Sequence, residues 1–194
     1  MLISMGINAT GSLLFYMEAI YLTSYMRINR GFSEVYIDNL TNFCYIIMAI
    51  FTLLTGWLSD KIGRRKIFVI NLTAIIVFSP ILLQILENGN YLTVILAQII
   101  IAIMAASYIG PEPTLQAELY PTNLRNTCLS ISYNTAASIF GGTAPYIIEY
   151  LVQNTGHLTS SIYYIIFCSL LSLVALYFYK DRSIADYKVI IDDE

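Results

Sequence analysis

Residues 91–109 read YLTVILAQIIIAIMAASYI, without one Asp, Glu, Lys or Arg. A helix on the surface of a soluble fold keeps its apolar residues to one stripe. A run that is apolar all round, and about 20 residues long, matches instead the hydrocarbon core of a bilayer, about 30 Å thick. Five more runs of the same kind follow one another through the chain. Six spans are therefore expected, at 2–26, 40–58, 67–86, 91–109, 129–152 and 158–179, with 180–194 left as a short tail. The runs are continuous rather than alternating, so they read as helices and not as strands of a barrel. With 57% hydrophobic residues and a mean hydropathy of +0.67, the chain lacks the polar surface a soluble globule needs. The fold class expected is an all-α membrane protein.

The net charge of −3 says little about partners, because in such a protein the placement of Lys and Arg matters more than their sum. Six spans put Lys61, Arg64, Arg65, Lys66, Arg125, Lys180, Arg182 and Lys188 on one side and only Arg27 and Arg30 on the other. That asymmetry places both termini in the cytoplasm, across a bacterial plasma (inner) membrane. No Lys or Arg precedes Arg27 and no small-residue cleavage site follows a short apolar core, so no cleaved signal is expected. Cys44, Cys128 and Cys168 are dispersed and read as small buried hydrophobes, not as a disulfide or metal set.

Five charged side chains, Asp60, Lys61, Arg64, Arg65 and Lys66, crowd into the stretch GWLSDKIGRRK at 56–66. As a connection between spans they hold that loop in the cytoplasm. Gly56 permits close helix approach, Gly63 a tight turn, and Asp60 can accept from amides at a helix N-terminus. The pattern G-x-x-x-D-K-x-G-R-R-K resembles the signature loop after the second helix of each half in major facilitator transporters. A second stretch, ELYPTNLRNTCLSISYNTAASIFGGTAP at 118–145, resembles the corresponding part of the metabolite:proton symporter family, and most of all its proline and glycine betaine transporters. Glu118, Pro121, Thr122, Arg125, Tyr133, Asn134, Gly141, Gly142 and Pro145 carry that likeness.

The resemblance implies that the six spans are the second half of a twelve-helix transporter, one bundle built from two inverted groups of three. It implies proton-coupled symport of a small osmolyte, with the lipid bilayer, the substrate, the proton and a separate N-terminal six-helix half as partners. No cofactor, metal or nucleic acid is implied. Asp60 becomes a latch onto the missing half. An alternative stays open: a separately encoded or degenerate half that is inactive alone and acts only as a membrane pairing partner, or not at all.

Pathway candidates come from the residues themselves. At 3.6 residues per turn, Ser4, Asn8, Gly11, Glu18, Tyr21 and Tyr25 share one sector of the first span. Glu18, well inside an apolar run, is either a proton carrier or a structural partner at a protein interface. Glu112, between Pro111 and Pro113, is either a cation site at a broken helix or a solvated helix end. Tyr21 and Tyr25 would suit a quaternary ammonium by cation–π attraction. Glu118 and Arg125 flank a Pro-Thr turn and can pair as a latch. In the fifth span Ser138, Gly141, Gly142 and Pro145 form a small-residue packing face, and Asn134 is kept for the pathway. Glu149 and His157 are expected at a solvated end and in a short external loop. The tail 180–194 is too short for an extended coiled coil. Enzyme chemistry is not expected: there is no G-x-S-x-G turn, no buried aspartate pair and no phosphate-binding G-x-x-x-x-G-K-[ST].

Overall fold

The computed structural model describes residues 1–179, and the expected tail at 180–194 lies outside the described residues. Every regular element among them is helical. The first run forms α1 (Leu2–Tyr16), a π-helical segment (Met17–Leu22) and α2 (Thr23–Ile28). Two long rods follow, α3 (Glu34–Ile62) and α4 (Arg64–Asn88). The fourth run divides into α5 (Tyr91–Ile109) and α6 (Glu112–Glu118), interrupted at Gly110 and Pro111. The fifth contains α7 (Arg125–Ala136), a second π-helical segment (Ala137–Gly142) and α8 (Ala144–Thr155). A short 3-10 turn (Leu158–Ser161) leads into α9 (Ile162–Tyr177).

Four of these helical stretches are long and apolar enough to cross a membrane: Glu34–Ile62, Arg64–Asn88, Tyr91–Glu118 and Leu158–Tyr177. The other two expected spans are occupied by helix, but each is broken by a π-helical segment, so neither runs as one unbroken α-helix. The expected span at 40–58 also falls short of the helix that contains it. α3 begins six residues earlier and ends four later, because polar groups at helix ends can face water while the backbone ladder continues.

α1 is the central strut. All of its residues from Gly6 to Leu14 are buried, with α9, α7 and α5 packed around it. In lipid there is no hydrophobic force between helices, so contact depends on small residues and hydrogen bonds. Thr10 and Ser172 hydroxyls meet at 2.8 Å, and Ser172 Oγ donates to Gly6 O at 2.8 Å, stitching α1 to α9. Asn71 Nδ2 donates to Met104 O at 3.1 Å between α4 and α5. Tyr164 OH donates to Phe140 O at 3.0 Å between α9 and the second π-helical segment.

Two glycines set the geometry of the signature loop. Gly63 alone separates α3 from α4, with φ of 102°, a conformation that L side chains rarely adopt. Gly110 lies against α3, where a Cβ would meet Thr52 O at 2.5 Å and Thr55 Oγ1 at 2.6 Å. Gly56, facing it, has ordinary room, so Gly110 is the residue that permits the close crossing. Replacing Gly110 by Ala forces the two helices apart and is expected to destabilise the bundle by about 1–3 kcal/mol. A thermal unfolding curve in detergent equal to that of the unaltered chain would show that the crossing is not tight.

A candidate substrate cavity beside span one

The bundle has two polar ends, and the loop glycine Gly63 marks one of them. There Arg64, in the first turn of α4, donates to Asp60 Oδ1 at 3.1 Å and to Glu118 Oε1. Tyr179 OH donates to the other oxygen of Glu118 at 2.8 Å. Glu118 therefore ties α4, α6 and the end of α9 together. The expected partner Arg125 opens α7 and makes no ion pair among the described residues, so the Glu118–Arg125 latch is replaced by Glu118–Arg64. Pro121 and Thr122 do form the turn between α6 and α7, closed by Leu124 N–H to Pro121 O at 3.1 Å. Asp60 sits in the last turn of α3 rather than at a helix N-terminus, and its side chain is largely exposed. Lys61 Nζ lies 3.8 Å from the centre of the Trp57 ring, and Arg65 and Lys66 are exposed.

At the opposite end Arg30 reaches the carbonyls of Glu87 and Gly89, capping α4. Glu87 in turn accepts from Thr159 N–H at 3.1 Å and Thr159 Oγ1 at 2.8 Å, and its carboxylate lies 2.7 Å from His157 Nδ1. His157 is exposed, in the connection before α9, as expected of a loop residue. Glu149 is not simply solvated: it is half-buried and accepts from Tyr21 OH at 3.1 Å.

Between these ends, on one side of α1, lies a cavity of about 310 Å³ lined by residues of α1, α5, α6 and α7 and by Ala137. Glu112 forms its carboxylate wall. The break after α5 turns Glu112 toward α1, where it is only 3% exposed. Its Oε1 accepts from Gln116 Nε2 at 2.9 Å, and Gln116 Oε1 accepts from Ser4 Oγ at 2.9 Å. Gly11 makes room for the other oxygen, since a Cβ there would collide with Glu112 Oε2. Asn8 and Ser12 extend the chain: Ser12 Oγ donates to Asn8 Oδ1 at 2.7 Å, and Asn8 Nδ2 to Tyr133 O at 3.3 Å. Aromatic walls come from Phe15, Tyr16 and Tyr133. Asn134 lines the same space and is exposed, its amide held by Ser130 O at 2.8 Å.

The expected stripe on span one divides three ways. Ser4, Asn8 and Gly11 face α6 and α7, Glu18 faces Gln98 of α5, and Tyr21 faces Glu149 of α8. The π-helical segment from Met17 changes the angular step per residue, so a sector drawn at 3.6 residues per turn stops holding beyond it. Tyr21 and Tyr25 are buried and stacked on each other at 6.2 Å, with no open ring face toward the cavity. Gly141 packs against Tyr16, a Cβ there meeting Tyr16 Cδ2 at 2.7 Å, whereas Ser138 and Gly142 are exposed and Pro145 lies in the first turn of α8. Sequence reasoning did not single out Gln116, which stands four residues after Glu112, or Gln98, the one amide in an apolar run. Both carried a signal that pairing logic could have used.

The comparisons with known proteins agree with this architecture. The family model of the Major Facilitator Superfamily matches residues 1–189, and the chain belongs to that family of membrane transporters. It is a multi-pass membrane protein. It is 28% identical to the ectoine/proline transporter of Corynebacterium glutamicum over 94% of its own length and 36% of the relative's. A proline/betaine transporter candidate of Staphylococcus aureus is 27% identical over 84% of this chain and 35% of its own. The alpha-ketoglutarate permease of Escherichia coli is 28% identical over 88% and 39%. The chain thus spans little more than a third of the length of these relatives.

The geometry can be checked without transport. In a background lacking the native cysteines, Cys at Asn134 or Ser138 is expected to react rapidly with a bulky hydrophilic thiol reagent in detergent, and Cys at Gln98 slowly if at all. Equal rates at the three positions would contradict the cavity described.

Proposed function

We propose that this chain is one six-helix bundle, of two inverted groups of three, in a secondary active transporter that carries a small zwitterionic osmolyte together with protons. The cavity beside α1 is its half of the binding site. The observation that carries the reading is the combination of one buried carboxylate, three aromatic side chains and small polar groups around about 310 Å³. A cationic ammonium or imino group matches the Glu112 carboxylate and the rings of Phe15, Tyr16 and Tyr133, while Asn134 offers an amide to a substrate carboxylate. The names of the proline, ectoine and betaine transporters among its relatives point to the same class of substrate.

A pairing role is the second reading, favoured by one observation. Phe15, Tyr133 and Asn134 face out of this bundle, so the cavity has walls on one side only. In this reading a complementary bundle completes the site, and the chain is inactive without it. The exposed Asp60 would then latch onto that bundle at the cytoplasmic end, with a bias of about 0.3–2 kcal/mol between two states of similar energy. Both termini lie in the cytoplasm, where Lys61, Arg64, Arg65, Lys66 and Arg125 gather near one end.

Uptake of labelled proline and betaine into vesicles under a pH gradient, with the chain alone and with a first-half bundle supplied, tests these readings. Uptake is expected only with both halves, and Glu112→Gln is expected to lower it at least about tenfold. Full uptake by that variant would remove Glu112 from the site. For orientation, Cys at Gly63 is expected to label only from the cytoplasm, and Cys at Asn88 or Gly156 only from outside. Labelling of both ends from one side would end the six-span arrangement.

A further inference from the structure

A second polar site lies inside the bundle, away from the cavity. Glu18 in the π-helical segment and Gln98 on α5 are each 1% exposed, so they face the interior of this bundle and not the surface left for a complementary one. Both oxygens of Glu18 and both polar atoms of Gln98 lack a hydrogen-bond partner, although the amide stands close enough to act on the carboxylate. From α3, the buried Cys44 and the exposed Tyr45 are the titratable groups near enough to feel the charge of Glu18. Thr41, one turn from them, has an unpartnered buried hydroxyl. No ion pair among the described residues involves Glu18.

A buried carboxylate surrounded by neutral groups lacks a countercharge, and burying it so is costly unless one is supplied. The atoms on offer are two carboxylate oxygens and an amide oxygen. These are hard oxygen ligands suited to a small cation. One carboxylate balances one charge, so a divalent ion would leave an excess in a low-dielectric interior. A proton answers the same need, since it turns one Glu18 oxygen into a donor for the Gln98 carbonyl while the other accepts from its amide.

We infer that the Glu18–Gln98 site takes up one monovalent cation, the proton of the transport reading or sodium in its place, and is the ion-coupling site, set apart from the substrate cavity. Its coupling role rests on the transport reading above; its occupancy does not. Span one presents Gly11, Ser12, Phe15 and Tyr16 to the cavity and Glu18 to α5 and α3. One helix therefore touches both sites.

The test is thermal unfolding of the purified chain in lipid nanodiscs, titrated with sodium chloride against choline chloride at fixed ionic strength, at acidic and alkaline pH. A saturable rise in melting temperature with sodium at alkaline pH, absent with choline, identifies sodium. A rise on acidification without a sodium response identifies the proton. Glu18→Gln abolishes the sodium response, and in the proton case it abolishes the acid response that remains in a Glu112→Gln background, which removes the other buried carboxylate among the described residues. Gln98→Leu keeps the carboxylate and is expected to raise the half-saturating sodium concentration about tenfold or, in the proton case, to shrink the response to acid. A wild-type chain that responds to neither ion overturns the inference, as does a response unchanged in Glu18→Gln. Should Glu18→Gln fail to fold, an unaltered response in Gln98→Leu overturns it instead. No transport is measured, so failure here leaves the substrate cavity standing, and failure of Glu112→Gln to impair uptake leaves this site standing.

Discussion

In hydrocarbon no water competes for a main-chain amide, so every backbone group must find its partner within the protein. That constraint fixes the helices first and then turns each irregularity into a site. The interruption at Gly110 and Pro111 is tolerated because the chain there lies against α3 and α1 instead of lipid. The same break directs Glu112 inward, where Gln116 and Ser4 hold it. The two π-helical segments, at Met17–Leu22 and Ala137–Gly142, fall in two of the three spans that line the cavity.

Polar side chains within the bundle divide into those that bind helices together and those left over. Thr10 with Ser172, and Asn71 with Met104, belong to the first group. Each such bond is worth about 0.6–2 kcal/mol in a membrane, so several are needed to hold the bundle where apolar burial gives no preference for protein over lipid. Glu18 and Gln98 belong to the second group. Their lack of partners has a different cost and a different meaning, since a buried carboxylate without a partner is costly unless a proton or cation neutralises it.

Charge at the Gly63 end is organised around one acceptor. Glu118 receives Arg64 from α4 and Tyr179 from beyond α9, so the loop that the sequence marks most clearly is anchored by a residue more than fifty positions away. Arg64 still reaches back to Asp60, an exposed contact of the kind worth about 0–1 kcal/mol. The difference in burial makes Glu118 the structural anchor and leaves Asp60 available for a partner outside this bundle.

Helix positions were legible in the sequence because the bilayer imposes a length and a composition that a one-dimensional reading can detect. The break beside Glu112 was legible too, since proline cannot continue the amide ladder wherever it stands, and so was the turn at Gly63. What the sequence could not supply is which helix each polar group faces. Drawn at a constant step, Glu18 and Tyr21 shared a stripe with Gly11; the π-helical segment turned one toward Gln98 and the other toward Glu149. Glu118 and Arg125, seven residues apart, looked like a pair, yet Arg64 took the carboxylate once α4 and α6 met. Spacing along one helix is a local property. The choice of partner depends on rotations of whole helices, settled only when close contacts such as Gly110 on α3 and Gly141 on Tyr16 lock the bundle together.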